Sequence, residues 1–181
     1  MTENAFDAKG FVQIDLKSGT IQNPSQKDMA LIPFELFEAV PASEALKQAA
    51  FKWGESRGTV FSKIESSGSL SMEVLAQHLQ GEVALIGAGN TSVDVSGDAL
   101  LVLICGPSVS YPSVGTVLEG FIAGYLSTVA SQAFDGVSFF DDNNKRTVFV
   151  GNPDAVNTIR KHMANNMSFT DALAQLVKEV A

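Results

Sequence analysis

One cysteine, Cys105, one tryptophan, Trp53, and two histidines are all that 181 residues offer of the side chains most used in metal and redox chemistry. A lone thiol excludes an internal disulfide and a multi-thiolate metal site. His78 and His162 stand far apart and form no metal-spaced pair, so no metal is expected. Charge is sparse as well, at 18% of residues, and its balance is acidic, at -8. The densest basic cluster, Arg160, Lys161 and His162, ends at once in Met163. Nucleic acid and anionic membrane both need clustered Lys and Arg, and neither is expected as a partner. No apolar run reaches the roughly 18 to 20 residues needed to span a bilayer, so no membrane span is expected. The start, MTENAFDAKGF, is polar and unlike a secretory signal, and a cytoplasmic location is expected.

Catalytic motifs are missing too. There is no G-x-S-x-G elbow and no phosphate-binding G-x-x-x-x-G-K. Gly87-Ala-Gly89 lacks the third glycine of a dinucleotide fingerprint and follows an expected helix rather than a strand. The chain therefore reads as non-enzymatic, with no cofactor.

What is present is a core, since 45% of residues are hydrophobic. The clearest stretch is Gly115 to Gln132, where Val117, Leu118, Phe121, Ile122, Tyr125, Leu126 and Val129 repeat as the broad buried face of a helix. Gly120 and Gly124 lie one turn apart in it, and glycine inside a helix costs ~1 kcal/mol relative to alanine. A second helix, capped by Ser43 and running to about Ile64, carries Leu46, Ala49, Ala50, Trp53, Arg57, Val60, Phe61 and Ile64 on one side. It repeats the device with Gly54 and Gly58. Either the two helices pack closely along these glycines, or the missing side-chain volume shapes a pocket. Phe51, Trp53, Phe61, Phe121 and Tyr125 are expected to cluster beside them, lining an apolar guest site with Tyr125 or Trp53 as polar handle, or filling an ordinary core.

Around these helices the chain reads as α+β. A hairpin is expected over Phe11 to Gln22, a polar loop over Asn23 to Asp28, and a short helix from Pro33 to Val40. Ser71 caps a helix over 72–86 that buries Val74 or Leu75, His78 or Leu79, and Ala84 with Leu85. Two hairpins follow, 91–105 with a second strand buried on both sides, and 134–150, giving an antiparallel sheet of about four strands. Asp135, Asp141 and Asp142 read as turn and solvation residues. Asn152-Pro153-Asp154 starts one C-terminal helix and Ser168 caps another.

The order of Ala49-Ala-Phe-Lys-Trp-Gly-Glu-Ser-Arg-Gly58, Gly87-Ala-Gly89, Ser92 to Val95, Gly97-Asp98, Leu100 to Leu103 and Gly120-Phe-Ile-Ala-Gly-Tyr-Leu-Ser127 resembles the four-vinyl-reductase or hydrocarbon-binding domain family. That family is related to the small subunits of vesicle-tethering transport particles. The resemblance covers about residues 43–150. It implies helices on an antiparallel sheet, a homodimer, and an apolar pocket for a small hydrophobic or aromatic molecule or a tetrapyrrole precursor. His78 would then serve as hydrogen-bond donor to a phenol-like guest or as axial ligand, against the plain reading of a half-buried helix border. Sensor members carry a zinc-binding cysteine hairpin, but Phe134 to Val150 has no cysteine. Haem-binding relatives use a Tyr, Ser, Arg signature, and after Tyr111 and Ser113 the next alternate position is Gly115. Neither zinc nor haem is expected.

The domain expectation is an N-terminal hairpin and short helix over 1–42, the hydrocarbon-binding-like domain over 43–151, and C-terminal helices over 152–181 packed on that domain. The expected function is non-catalytic binding of a small hydrophobic or aromatic molecule. A dimeric interaction scaffold and an accessory role in chlorophyll-type pigment synthesis are the alternatives.

Overall fold

The computed structural model describes residues 13–15, 20–23, 26–29, 36–64, 71–96, 99–141 and 145–180. The chain divides into two compact units, 1–36 and 37–181. In the first, β1 (Gln13–Asp15), β2 (Thr20–Asn23) and β3 (Gln26–Met29) form an antiparallel sheet in that order. The expected hairpin is there, with Ile14 opposite Ile21. The segment expected as a polar loop contains a third strand instead. Backbone pairing with β2 needs no apolar alternation, so Gln26-Lys-Asp28 gave no strand signal. Pro33 and Phe34 lie outside the described residues, and among those described Leu36–Ala39, α1, is helical.

The second unit is an α+β fold. α2 (Glu44–Ile64) begins where Ser43 Oγ accepts from the Leu46 amide, and α3 (Met72–Leu85) where Ser71 Oγ accepts from Val74. β4 (Asn90–Ser96) and β5 (Ala99–Cys105) pair in register from Asn90 opposite Cys105 to Ser96 opposite Ala99. A short 3-10 turn then leads into α4 (Pro112–Ala130), where Pro112 occupies the first turn and Ser113 Oγ donates to the Phe37 carbonyl. β6 (Asp135–Asp141) and β7 (Lys145–Gly151) follow. Asn152 caps α5 (Pro153–Ala164), and Ser168 accepts from Asp171 at the start of α6 (Phe169–Val180).

The four strands form one antiparallel sheet, β4-β5-β7-β6. Its two faces are read from the register. Leu100, Val150 and Gly136 lie in one row, and Val102, Val148 and Ser138 in the next. That face meets α4: Gly136 lies against the Glu119 backbone, and Gly115 leaves room for Arg146. Leu101, Phe149 and Val137 form a row on the other face, in a cluster with Val156 and Ile159 of α5 and Phe169 and Ala172 of α6. β5 is not buried on both sides, as its uniform apolar sequence suggests. Leu100, Val102 and Ile104 are buried while Leu101 and Leu103 are half-covered. The α5–α6 pair packs on Val137 and Phe149 of β6 and β7 and reaches Ala99 and Leu101 of β5.

α4 is the centre of the unit, with α2 laid along it and the sheet beneath. Leu118, Phe121, Ile122, Ala123 and Tyr125 are all fully buried. Among the described residues it is the one helix long and apolar enough to cross a membrane, and most of it is buried inside the protein.

Candidate functional site

The four glycines decide how α2 meets α4. A Cβ on Gly54 would strike the backbone of Phe121 and Tyr125, and one on Gly58 the carbonyl of Tyr125. From the other side, Gly120 faces the Lys47 carbonyl and Gly124 the backbone of Phe51. The volume left by the missing side chains is thus filled by the opposite helix.

Beyond this seam the rings gather. Trp53 lies 4.6 Å from Phe121 between ring centroids, Phe121 6.4 Å from Tyr125, and Tyr125 5.8 Å from Phe61. Phe61 closes the chain of contacts with the imidazole of His78 at 4.4 Å. Phe61, Phe121 and Tyr125 are buried, whereas Trp53 and His78 are half-buried and mark the solvent side. Leu75, Leu79 and Val83, four residues apart, form the buried ridge of α3, so that His78 stands at its border and Ala84 is exposed rather than buried. A buried ion pair fastens α3 to α2, with Arg57 Nε and Nη2 donating to the two oxygens of Glu82 at 2.8 and 2.5 Å. Arg57 therefore belongs to the apolar stripe by position and to a salt bridge by chemistry. Ala49, placed on the same stripe by spacing, is exposed because the glycine ridge has turned the helix toward Lys47 and Ala50.

Phe51 does not join these rings. It lines a cleft of about 240 Å³, together with Lys47, Gln48, Phe134, Asp135 and Arg160. Here the structure corrects the reading of Asp135 as a solvated turn residue. Its carboxylate is the meeting point of three elements. Oδ1 accepts from Lys47 Nζ of α2 at 2.6 Å and from the Gly136 amide, and Oδ2 accepts from Arg160 Nη1 of α5 at 2.7 Å. Burial alone pushes this carboxyl up, but the hydrogen bonds from Arg160 and Lys47 and the charge of Lys47 outweigh it, so its pKa lies below the ordinary value.

The same cations finish the sheet. Lys47 and Arg160 both donate to the Gly136 carbonyl, at 2.9 and 2.7 Å, and Glu119 of α4 accepts from the Ser138 amide. These are the outward backbone groups of an edge strand, which side chains here satisfy in place of a further strand. A few ångströms on, the buried Arg146 donates to the Val109 carbonyl at 2.7 Å and to Ser138 Oγ at 2.8 Å, tying the 3-10 turn to the sheet. Burial lowers its pKa, and the charge of Glu119 opposes the shift.

None of Lys47, Glu119, Asp135, Arg146 or Arg160 was legible as a site residue. The one available signal was a lysine and an aspartate flanking otherwise apolar positions. Among the described residues no cluster of three His, Cys, Asp or Glu side chains is placed to hold a metal ion.

No protein-family profile matches the chain, and no curated protein matches it. Solved structures do. The crystal structure of the phenol-responsive sensory domain of the transcription activator PoxR with phenol superposes with a TM-score of 0.59, covering 78% of this chain and 85% of that one at 12% identity. At that identity the likeness is one of fold.

Proposed function

We propose that this chain is a non-catalytic binding domain for a small aromatic or hydrophobic molecule, held where α2, α3 and α4 meet, beside Phe61, His78, Phe121 and Tyr125. The observation that carries the reading is the buried ring cluster with two polar tips, the Tyr125 hydroxyl and the His78 imidazole, in a fold whose solved neighbour is described as phenol-responsive. Apolar walls supply affinity and a few polar groups fix orientation, which is the usual division of labour in such pockets. At centroid separations of 4.4 to 6.4 Å the rings touch one another, so a guest must part them, and a single ring asks for less displacement than a tetrapyrrole precursor. The glycine-packed α2–α4 seam is the fixed wall. The α3 wall, packed through Leu75, Leu79 and Val83 and joined to α2 by the Arg57–Glu82 ion pair and the Phe61–His78 contact rather than by backbone-to-backbone approach, is the one that parts to admit the guest. The resemblance to hydrocarbon-binding domains fits the same reading.

Trp53 is the sole tryptophan and sits against Phe121, so its fluorescence reports on the cluster. Titration with phenol and with larger single-ring compounds is expected to change the emission saturably. At a hundred times Kd, binding stabilises by ~2.7 kcal/mol, or roughly 5 to 10 °C in Tm for a domain of this size. Flat emission together with an unmoved Tm at millimolar ligand would end the proposal.

A further inference from the structure

The cleft beside Asp135 is chemically unlike the ring cluster and is built for an anion with a flat apolar body. We propose that it binds a small aromatic monocarboxylate, with the carboxylate on Arg160 and the ring between Phe51 and Phe134. Three observations carry this. First, the cleft is lined by two cations, Lys47 and Arg160, and two carboxylates, Asp135 and Glu44, and only Asp135 is hydrogen-bonded by the cations. Glu119, 3.8 Å from Lys47, is already bound to Ser138 and lies in the field of the buried Arg146. Glu44 stands at the exposed rim, where water screens it, and accepts from Gln48 at 2.7 Å. Lys47 is thus held among Asp135, the Gly136 carbonyl and Glu119, and Arg160, the more exposed of the two cations, is the one an incoming carboxylate can reach.

Second, the donors of Arg160 are only partly used. A guanidinium has five N–H groups. Nη1 donates to Asp135 and Asn157, and Nη2 to the Gly136 carbonyl. The two left over, on the neighbouring Nε and Nη2, meet no protein acceptor among the described residues, and that pair of nitrogens matches a carboxylate bidentately. The side chain is 36% exposed, so a ligand can reach it. Third, Phe51 and Phe134 are half-buried on the walls, and about 240 Å³ accommodates one ring with its carboxylate but not a large polycycle.

The test uses the full chain, isotopically labelled, with benzoate, acetate and benzamide titrated separately and amide shifts followed. Benzoate is expected to move the amides of Lys47, Gln48, Phe51, Phe134, Asp135 and Arg160 saturably. Acetate, lacking the ring, and benzamide, lacking the charge, are each expected to bind about tenfold more weakly or worse. Arg160→Gln removes the fork. Arg160→Lys keeps a cation beside Asp135 but cannot present two adjacent N–H groups in one plane, and it too should weaken benzoate about tenfold or more. Benzoate binding equally to wild type and Arg160→Lys overturns the proposal, as does an acetate or benzamide response equal to that of benzoate, or benzoate leaving the cleft amides still. The amides of Phe61, His78 and Tyr125 report on the ring cluster in the same spectra, so failure at one site is distinguishable from failure at the other.

Discussion

At the scale of single residues, the glycines of α2 and α4 are the most constrained positions. Gly124 and Gly81 make a matched pair of tests, because both lie inside helices and only one faces another backbone. A methyl group on Gly124 runs into the backbone of Phe51, which cannot rotate away, so α2 must lift from α4. Gly124→Ala is expected to lose at least about 1 to 3 kcal/mol through overpacking. A Cβ on Gly81 of α3 meets nothing within 4 Å, and there alanine is expected to gain roughly 0.5 to 1 kcal/mol from helix propensity alone. Chemical denaturation of both variants measures the contrast. Equal effects would mean that the α2–α4 seam is looser than its geometry.

At the scale of elements, Asp135 joins α2, β6 and α5 through two cations, and this makes the junction sensitive to acid. A carboxyl whose folded pKa lies below its unfolded value contributes stability that is present above the unfolded pKa, near 3.9. That contribution is lost as pH falls through the folded value. Asp135 is of this kind. Its share of stability is therefore expected to be constant at neutral pH and to fade below about pH 4. Asp135→Asn should lower stability at pH 7 and flatten the decline below pH 4, measured by denaturant midpoints across that range. An unchanged acid profile would assign the decline to other carboxylates.

The helices of this unit were legible because capping residues and apolar spacing are local. Ser43, Ser71, Asn152 and Ser168 each mark a start that the structure confirms by hydrogen bond. The sheet of four strands was legible from its two hairpins. β3 was not, because its side chains carry no pattern and its partner supplies the order. The ring cluster was largely foreseen, since Trp53, Phe61, Phe121 and Tyr125 recur at helical spacing, and Phe51 was wrongly grouped with them because it lies on another side of α2. The polar junction was not foreseen at all. Lys47, Glu119, Asp135 and Arg160 are dispersed over more than a hundred positions, and nothing in a linear spacing says that three helices and a strand edge converge there.

At the scale of the second unit as a whole, the two proposed sites lie along one seam, since Phe51 and Phe121 face each other's helix across the glycines. Coupling between sites requires an element with two discrete arrangements that both ligands bias. The α2–α4 seam has only a single arrangement, because four close backbone approaches leave no room for an alternative packing. The proposed movable wall, α3, borders the ring cluster and contributes nothing to the cleft. Phenol and benzoate are therefore expected to bind independently, with phenol affinity at saturating benzoate within about twofold of its value without it, a coupling well under the 1 to 3 kcal/mol typical of allosteric pairs. Arg160→Lys should likewise leave the Trp53 response to phenol unchanged. A coupling of tenfold or more, read from the Trp53 titration, would mean that α2 shifts along α4 when a guest enters, and the seam would then be the transmitting element rather than the fixed wall.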